Sequence, residues 1–295
     1  MDYHQPVLRD EVLDYFQIKP NGLYLDATLG NGGHTLEILK ASATVYGLDQ
    51  DPSNLQLSTE RIKTELPDSH FYPIHGNFSD LFSIYKSTIK TKLDGVLFDL
   101  GLSKNQQLSE NRGFSFNDKN SIDMRLDPEN PKESAEFVIN TYDFQELFDI
   151  FTKYAQEIYS KPLILRIIRE RQKSPIKTGL RLAEIIRSYY LEHHINTRLD
   201  PATKIFLALR IYVNQDYKNL STALADTLKI VKPKGKVCII TFHSGEDRLV
   251  KQFIKKYTLL GQITSAPSVR PSFQETKTNP LSRSATLRSF TLNHE

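Results

Sequence analysis

Apolar and polar positions along this chain follow two rhythms. In residues 7–16 (VLRDEVLDYF), Val7, Leu8, Val12, Leu13 and Phe16 recur at helical spacing. A short apolar run, "LYLDA", then predicts a buried strand ending at Asp26, and residues 34–41 resume the helical period. The alternation continues. "ATVYGLDQD" predicts a strand ending at Asp49, and residues 52–65 predict a helix opened by Pro52. "FYPIHGNF" and "LDGVLFDLG" predict two more strands, the second ending at Asp99. Apolar strands separated by amphipathic helices predict a parallel sheet covered by helices, an α/β fold.

The rhythm breaks after residue 103. Residues 104–133 are polar and rich in Asn, Asp, Ser and Pro. Residues 134–190 then carry apolar side chains about every three to four positions (Leu147, Ile150, Phe151, Ile158; Leu163, Leu165, Ile168; Leu182, Ile185, Ile186, Tyr189), which predicts helices. "RLDPAT" puts Pro201 near a helix start, and residues 202–213 predict a strongly apolar helix. "LADTLKIVKPKGKVCIITFHS" returns to helix, Pro-Gly turn and strand. A loop over 265–284 precedes a last strand, "TLRSFTL". The expected organisation is a discontinuous sheet domain, residues 1–103 and 201–295, interrupted by a mostly helical insert, residues 104–200.

Composition narrows the class. The apolar fraction, 39%, is ordinary for a globular chain. The lone cysteine, Cys238, excludes a disulfide within the chain and a cysteine zinc cluster, and reads as a small buried hydrophobe. His193 and His194 are adjacent, so they point to different sides of an element, and no metal is expected. The N-terminus lacks the pattern of a secretory signal, and no apolar run reaches the roughly 18 residues a bilayer crossing needs. The cytoplasm is the expected compartment. Net charge is only +3, but its distribution is uneven. Residues 110–149 hold ten acidic and four basic side chains; residues 161–187 hold eight basic against two acidic, and residues 229–256 repeat that ratio. A basic face of this kind can follow a phosphate backbone, and equally can be a solvated helix face.

The candidate chemistry sits in "YLDATLGNGGHTLEIL", residues 24–39. A strand, a turn with Gly30, Gly32 and Gly33, and a helix expose backbone N–H groups where a ligand can approach closely. A P-loop would place Lys-Ser/Thr after its last glycine, where this chain has His34-Thr35. A dinucleotide turn would place a small residue where Thr35 stands. The S-adenosylmethionine (SAM) turn, D-x-G-x-G-x-G, fits at Asp26, Gly30 and Gly32, with Thr28 in place of the first glycine. Asp49 can accept hydrogen bonds from ribose hydroxyls, which NAD and SAM share. In open α/β sheets ligands sit at the carboxyl ends of strands, so Asp26, Asp49 and Asp99 are expected to converge on one crevice.

Nine motifs in order, "HQPVL", "YLDATLGNGGHT", "HGNF", "DGVLFDLGLS", "RGFSF", "DMRLD", "PATKIFLALRIYVN", "ITFHSGEDR" and "RSATLR", resemble the bacterial 16S rRNA cytosine-N4 methyltransferases along nearly the whole chain. The resemblance implies a Rossmann-like class I SAM methyltransferase core with a mostly helical insert that recognises RNA. It implies SAM as methyl donor and a cytidine in the decoding region of 16S rRNA, in the small ribosomal subunit, as target. No membrane partner is expected, and the protein is expected to be a monomer or homodimer. The family's cofactor positions fall on Gly32, Gly33, His34, Asp49, Phe78, Asp99 and Gln106. Asp99, Ser103 and His243 are the candidate catalytic residues; Arg112, Arg125, Arg169 and Arg171 are the candidate RNA contacts.

The chain departs from the family pattern in places. Lys104, Asn105 and Gln107 replace residues of the usual Ser-Ser-Pro-Gln-Leu-Asp stretch; Lys204 and Leu207 stand where Arg and Gln are usual; "AQE" at 155–157 replaces Gly-Glu-Glu; Gly245 stands where the family has Leu. These touch the target more than the chemistry. They keep open a SAM methyltransferase acting on another RNA position, or a ribosome-binding factor with impaired catalysis. An NAD enzyme lacks its third small residue and a clear proton relay. A DNA N4-cytosine enzyme would carry a Pro-Pro-Tyr-type motif where this chain has Leu100-Gly101-Leu102-Ser103.

Overall fold

A computed structural model describes residues 5–108, 111–155 and 160–293. His4, Gln156, Glu157 and Ile158 of the patterns above lie outside the described residues. The chain divides into two compact units: Lys104–Asp216, and the two segments that flank it.

The first flanking segment runs α1 (Arg9–Phe16), β1 (Leu23–Asp26), α2 (Gly33–Lys40), β2 (Thr44–Asp49), α3 (Pro52–Glu65), β3 (Phe71–His75), α4 (Leu81–Ile84) and β4 (Leu93–Asp99). Local chemistry sets these boundaries. The Asp51 side chain accepts the Ser53 N–H and Pro52 opens α3, so the helix begins where the β2 turn ends. Strand β4 buries Leu93, Val96, Leu97 and Phe98 completely, as expected for a strand covered on both faces.

The insert contains α5 (Lys104–Leu108), α6 (Ala135–Thr141), α7 (Phe144–Ile150), α8 (Ser160–Lys173), α9 (Gly179–Glu192) and α10 (Ala202–Asn214). Its core gathers Ile139, Leu147, Phe151, Leu163, Ile167, Leu182 and Ile186. Residues Ile205, Phe206, Leu209 and Val213 of α10 join that same cluster. The unit therefore ends at Asp216, not at residue 200, because the apolar face of α10 is buried here. Asn214 adds a polar tie: its Oδ1 accepts the Leu126 N–H at 2.8 Å and its Nδ2 donates to the Met124 carbonyl at 2.8 Å. The polar stretch before α6 is organised around Asp118, whose carboxylate accepts the N–H groups of Gly113, Asn120 and Ser121.

The chain then supplies α11 (Asp216–Ile230), β5 (Val231–Thr241), α12 (Ser244–Leu259), β6 (Ile263–Ser265), α13 (Phe273–Thr278) and β7 (Thr286–Leu292). The expected Pro-Gly turn lies within the span of β5: Leu93 pairs with Val231, the register slips, and Gly95 then pairs with Lys236. The sheet order is β3-β2-β1-β4-β5-β7-β6, parallel except for β7, which is antiparallel to both neighbours. Strands 1, 2 and 3 run outward one way and 4 and 5 the other, so the topological switch point falls between β1 and β4. The order and switch point make this a doubly wound, Rossmann-like sheet.

Candidate active site

The switch point brings Asp26, Asp49 and Asp99 to the carboxyl ends of β1, β2 and β4, and His243 just beyond β5. Each strand end has a different local partner set, which decides what each side chain can do.

Asp26 is buried and braces the turn from below. It accepts the Thr35 hydroxyl at 2.8 Å and the Thr28 N–H at 3.2 Å, and burial pushes its carboxyl up to about 6. Thr28 in turn accepts the Asp99 N–H at 2.6 Å. The two threonines that break the glycine pattern are thus structural: one ties the turn to β1, the other to β4. Their roles were missed in the sequence, where they registered only as deviations from glycine.

Asp49 is engaged at both oxygens. Oδ2 accepts the Gly30 N–H at 2.8 Å and Oδ1 accepts the Asp51 N–H at 2.8 Å. Burial still dominates and raises its carboxyl to about 6. A carboxylate has about four acceptor sites, so two remain for ribose hydroxyls.

The glycines serve packing as well as approach. Gly32 caps α2 at φ +72°, a left-handed conformation that side chains disfavour. A Cβ at Gly33 would stand 2.7 Å from Pro6 Cγ, and one at Gly32 would stand 3.2 Å from Ile62 Cδ1. Their missing side chains therefore admit protein neighbours, and two N–H groups of the turn are held inside the protein: Gly30 donates to Asp49 and Gly32 to the Leu29 carbonyl at 2.7 Å. Pro6 belongs to a segment that is itself strapped down: Glu275 accepts the Leu8 N–H at 2.8 Å and Asn279 donates to the Gln5 carbonyl at 3.1 Å. The strap is α13, inside the expected 265–284 loop. Its signal was present as "SFQE", where Ser272 accepts the Glu275 N–H at the helix start.

His34 lies in the first turn of α2, with its ring held by the Val7 backbone and buried enough to pull it down to about 4. It is neutral at pH 7. Its Nε2 has no hydrogen-bond partner and stands 3.8 Å from Asp99 Oδ2, beyond bonding distance. Asp99 is the least satisfied carboxylate of the crevice. Its Oδ1 is buried with no partner, and burial, with Asp26 and Glu246 nearby, pushes the carboxyl up to about 8. A buried polar atom without a partner is costly, and one at a ligand crevice marks where a ligand completes the site.

Phe78 follows β3 and is half-buried, meeting Phe98 edge-to-face with ring centroids 6.0 Å apart. The Ser103 hydroxyl donates to Asn54 at 3.1 Å, so it fastens the loop after β4 to α3. Gln106 belongs to the insert and is buried in α5. His243 is the N-cap of α12: its Nδ1 accepts the Glu246 N–H at 3.4 Å, while Glu246 Oε2 accepts the Phe242 N–H at 3.0 Å. The strand-to-helix cap thus engages this ring, and its Nε2 stands 3.0 Å from Glu246 Oε1. At Gly245 a Cβ would overlap the Tyr217 side chain, whose ring also faces His243 with centroids 6.0 Å apart. Tyr217 occupies the space that a side chain at position 245 would take.

Three of the four candidate RNA contacts are turned inward. Arg112 donates to the carbonyls of Arg125 and Leu126; Arg125 forks onto Asp123 with both contacts at 2.7 Å; Arg171 donates to the Ile139 carbonyl at 2.7 Å. Each guanidinium satisfies groups of its own unit. Arg169 alone of the four is exposed.

The sequence profile of the MraW methylase family matches residues 1–292. The chain belongs to that family. This methylase is a SAM-dependent methyltransferase. It is 38% identical to a "Ribosomal RNA small subunit methyltransferase H" of Carboxydothermus hydrogenoformans, over 97% of this chain and 96% of that one. A protein of the same name from Ehrlichia chaffeensis is 36% identical, over 97% and 99%. Among solved structures, the putative rRNA methylase of Clostridium thermocellum is similar at a TM-score of 0.49 and 12% identity, covering 98% of this chain and all of that one. Among the described residues the methylase has no group of three His, Cys, Asp or Glu side chains arranged to hold a metal, and no helix long and apolar enough to cross a membrane.

Proposed function

We propose that the protein transfers the methyl group of SAM to the exocyclic N4 of a cytidine in the decoding region of 16S rRNA, in the bacterial cytoplasm. The name of the relatives supplies the small-subunit target. The observation that carries the chemistry is Asp99, a switch-point carboxyl with a buried oxygen left unbonded. The residues of the crevice fit the cofactor: polar atoms of His34 and Asp99 are unpartnered, and Asp49 has acceptor capacity to spare. Gly32, Gly33 and His34 would hold the methionine half, Asp49 the ribose, and Phe78 the adenine, with Asp99 toward the methyl donor. Bound there, the cofactor supplies an already activated methyl on a sulfonium.

The N4 lone pair of cytosine is delocalised into its ring, so the protein's main task is alignment. Asp99 accepts an N4 proton's hydrogen bond and biases the nitrogen toward attack; the proton leaves after transfer, and no strong base is needed. The backbone of Asp99 is fixed by Thr28 and the following loop by Ser103, which holds that acceptor in place. The target base reaches the crevice unpaired or flipped from its stack, and the insert contributes to recognising the surrounding RNA.

The test is mass spectrometry of 16S rRNA from cells with and without the gene. Loss of N4-methylcytidine at one position, restored by the wild-type gene, is the expected result. An unchanged 16S modification profile contradicts the reading, and loss of a methyl at another position or atom reassigns the target.

A further inference from the structure

The two basic segments of the sequence fare differently in three dimensions. In residues 161–187 the cations are largely committed within the insert. Arg166 forks onto Glu192, Lys173 and Arg181 both meet Glu170, and Arg187 meets Asp200 at 2.6 Å. Helix α12 is the opposite case. Its two acids are used elsewhere: Glu246 is buried in the cap, and Asp247 forks onto Arg288 at 2.7 and 3.1 Å. Arg248, Lys251, Lys255 and Lys256 are all exposed. Spacings of three and four place Arg248, Lys251 and Lys255 on one stripe of the helix. Among the described residues neither Lys251 nor Lys255 has an ion-pair partner.

Position adds to charge. The stripe starts one turn beyond His243, at the crevice edge, and α12 runs 16 residues, about 24 Å, away from it. Along the axis the three cations step by roughly 4.5 and 6 Å. Two exposed lysines without ion-pair partners, in line with Arg248 and leading from the mouth of a base-accepting crevice, match a polyanion whose charges repeat along a strand.

We propose that the outer face of α12, through Lys251 and Lys255 with Arg248, is the phosphate track that carries the RNA strand flanking the target base. The inference rests on the RNA reading above. It assigns the salt-dependent part of substrate binding to the sheet unit itself, beside the chemistry, in place of the internally paired basic segment of the insert.

The test uses the full-length protein with the double substitution Lys251→Gln and Lys255→Gln, both exposed, and unmethylated small subunits or a 16S fragment as substrate. The expected result is a rise of about tenfold or more in KM for RNA, with kcat and SAM affinity unchanged. The slope of log affinity against log salt should fall by roughly 1.5, since each phosphate contact contributes about 0.7–0.9. An unchanged slope and KM, with the wild type methylating normally, overturns the track alone. Failure of the wild type to methylate or bind 16S RNA overturns the RNA reading, and the track with it. Weakened binding to whole subunits with unchanged binding to the naked fragment also overturns the track and assigns the face to an acidic protein surface.

Discussion

The ends of β2 and β4 make an instructive pair. Both present an aspartate to the same crevice, both follow apolar strands, and in the sequence the two are indistinguishable as strand-end carboxylates. In the structure Asp49 is fixed by the protein, with one backbone N–H on each oxygen and an acceptor site left on each. Asp99 is incomplete, with a buried oxygen unbonded and its carboxyl pushed up to about 8, against about 6 for Asp49. The difference separates two jobs. A carboxylate already fixed by the protein serves as a rigid template for hydroxyl groups. A carboxyl left unsatisfied responds to what binds next to it, because a neighbouring positive charge or donor shifts it toward its ionised form.

Substitutions should break the pair unequally. Asp99→Ala is the most damaging: kcat for methyl transfer should fall by at least about a hundredfold, the range expected for a lost proton acceptor. Turnover assays beside calorimetric SAM binding measure it, and wild-type turnover would end the proposed role. Asp49→Ala should act on binding. Loss of ribose contacts and release of the Gly30 and Asp51 N–H groups should weaken SAM by about ten- to a hundredfold, at roughly 1.5–3 kcal/mol for a hydrogen bond to a charged group. A smaller effect on affinity than that of Asp99→Ala would mean the template role is misassigned. Thr28→Val should be mildest. It leaves the part-buried Asp99 N–H without its 2.6 Å acceptor, so stability should fall by about 1–3 kcal/mol in denaturant titrations, with kcat reduced more than SAM affinity.

The pair was only half legible in the sequence. The strands, their order of appearance and the three converging aspartates followed from apolar periodicity, because a buried parallel sheet leaves little freedom in which residues are apolar. What distinguishes Asp49 from Asp99 is the direction of a few N–H groups in turns. No residue pattern encodes that directly. The same holds for Thr28 and Thr35, whose hydroxyls act on partners 71 and 9 residues away. The end of the insert was misplaced for a related reason: a strongly apolar helix at 202–213 looks the same whichever core it joins. The arginines of "RGFSF" and "DMRLD" read as free cations in one dimension, and become braces once Asp123 and the nearby carbonyls come within reach. The Gly245 departure became interpretable only when the structure put Tyr217 in its place.

Protonation connects the comparison to stability. Asp26, Asp49 and Asp99 all sit above the ordinary value of 3.8 in the folded protein. The fold therefore holds these protons more tightly than the unfolded chain. That contribution is full below pH 4 and is lost as pH rises, through about 6 for the first two and about 8 for Asp99.

The most direct test of the account is proton exchange on SAM binding, measured by calorimetry at pH 7 in buffers of different ionisation enthalpy. With Asp99 mostly protonated before SAM is added and ionised beside a sulfonium, binding should release most of one proton. Affinity should rise with pH up to about 8 and then level off, and Asp99→Asn should abolish both effects while Asp49→Asn keeps the release. Binding without proton release, or release that survives Asp99→Asn, would contradict the assignment of Asp99 as the group the bound cofactor completes.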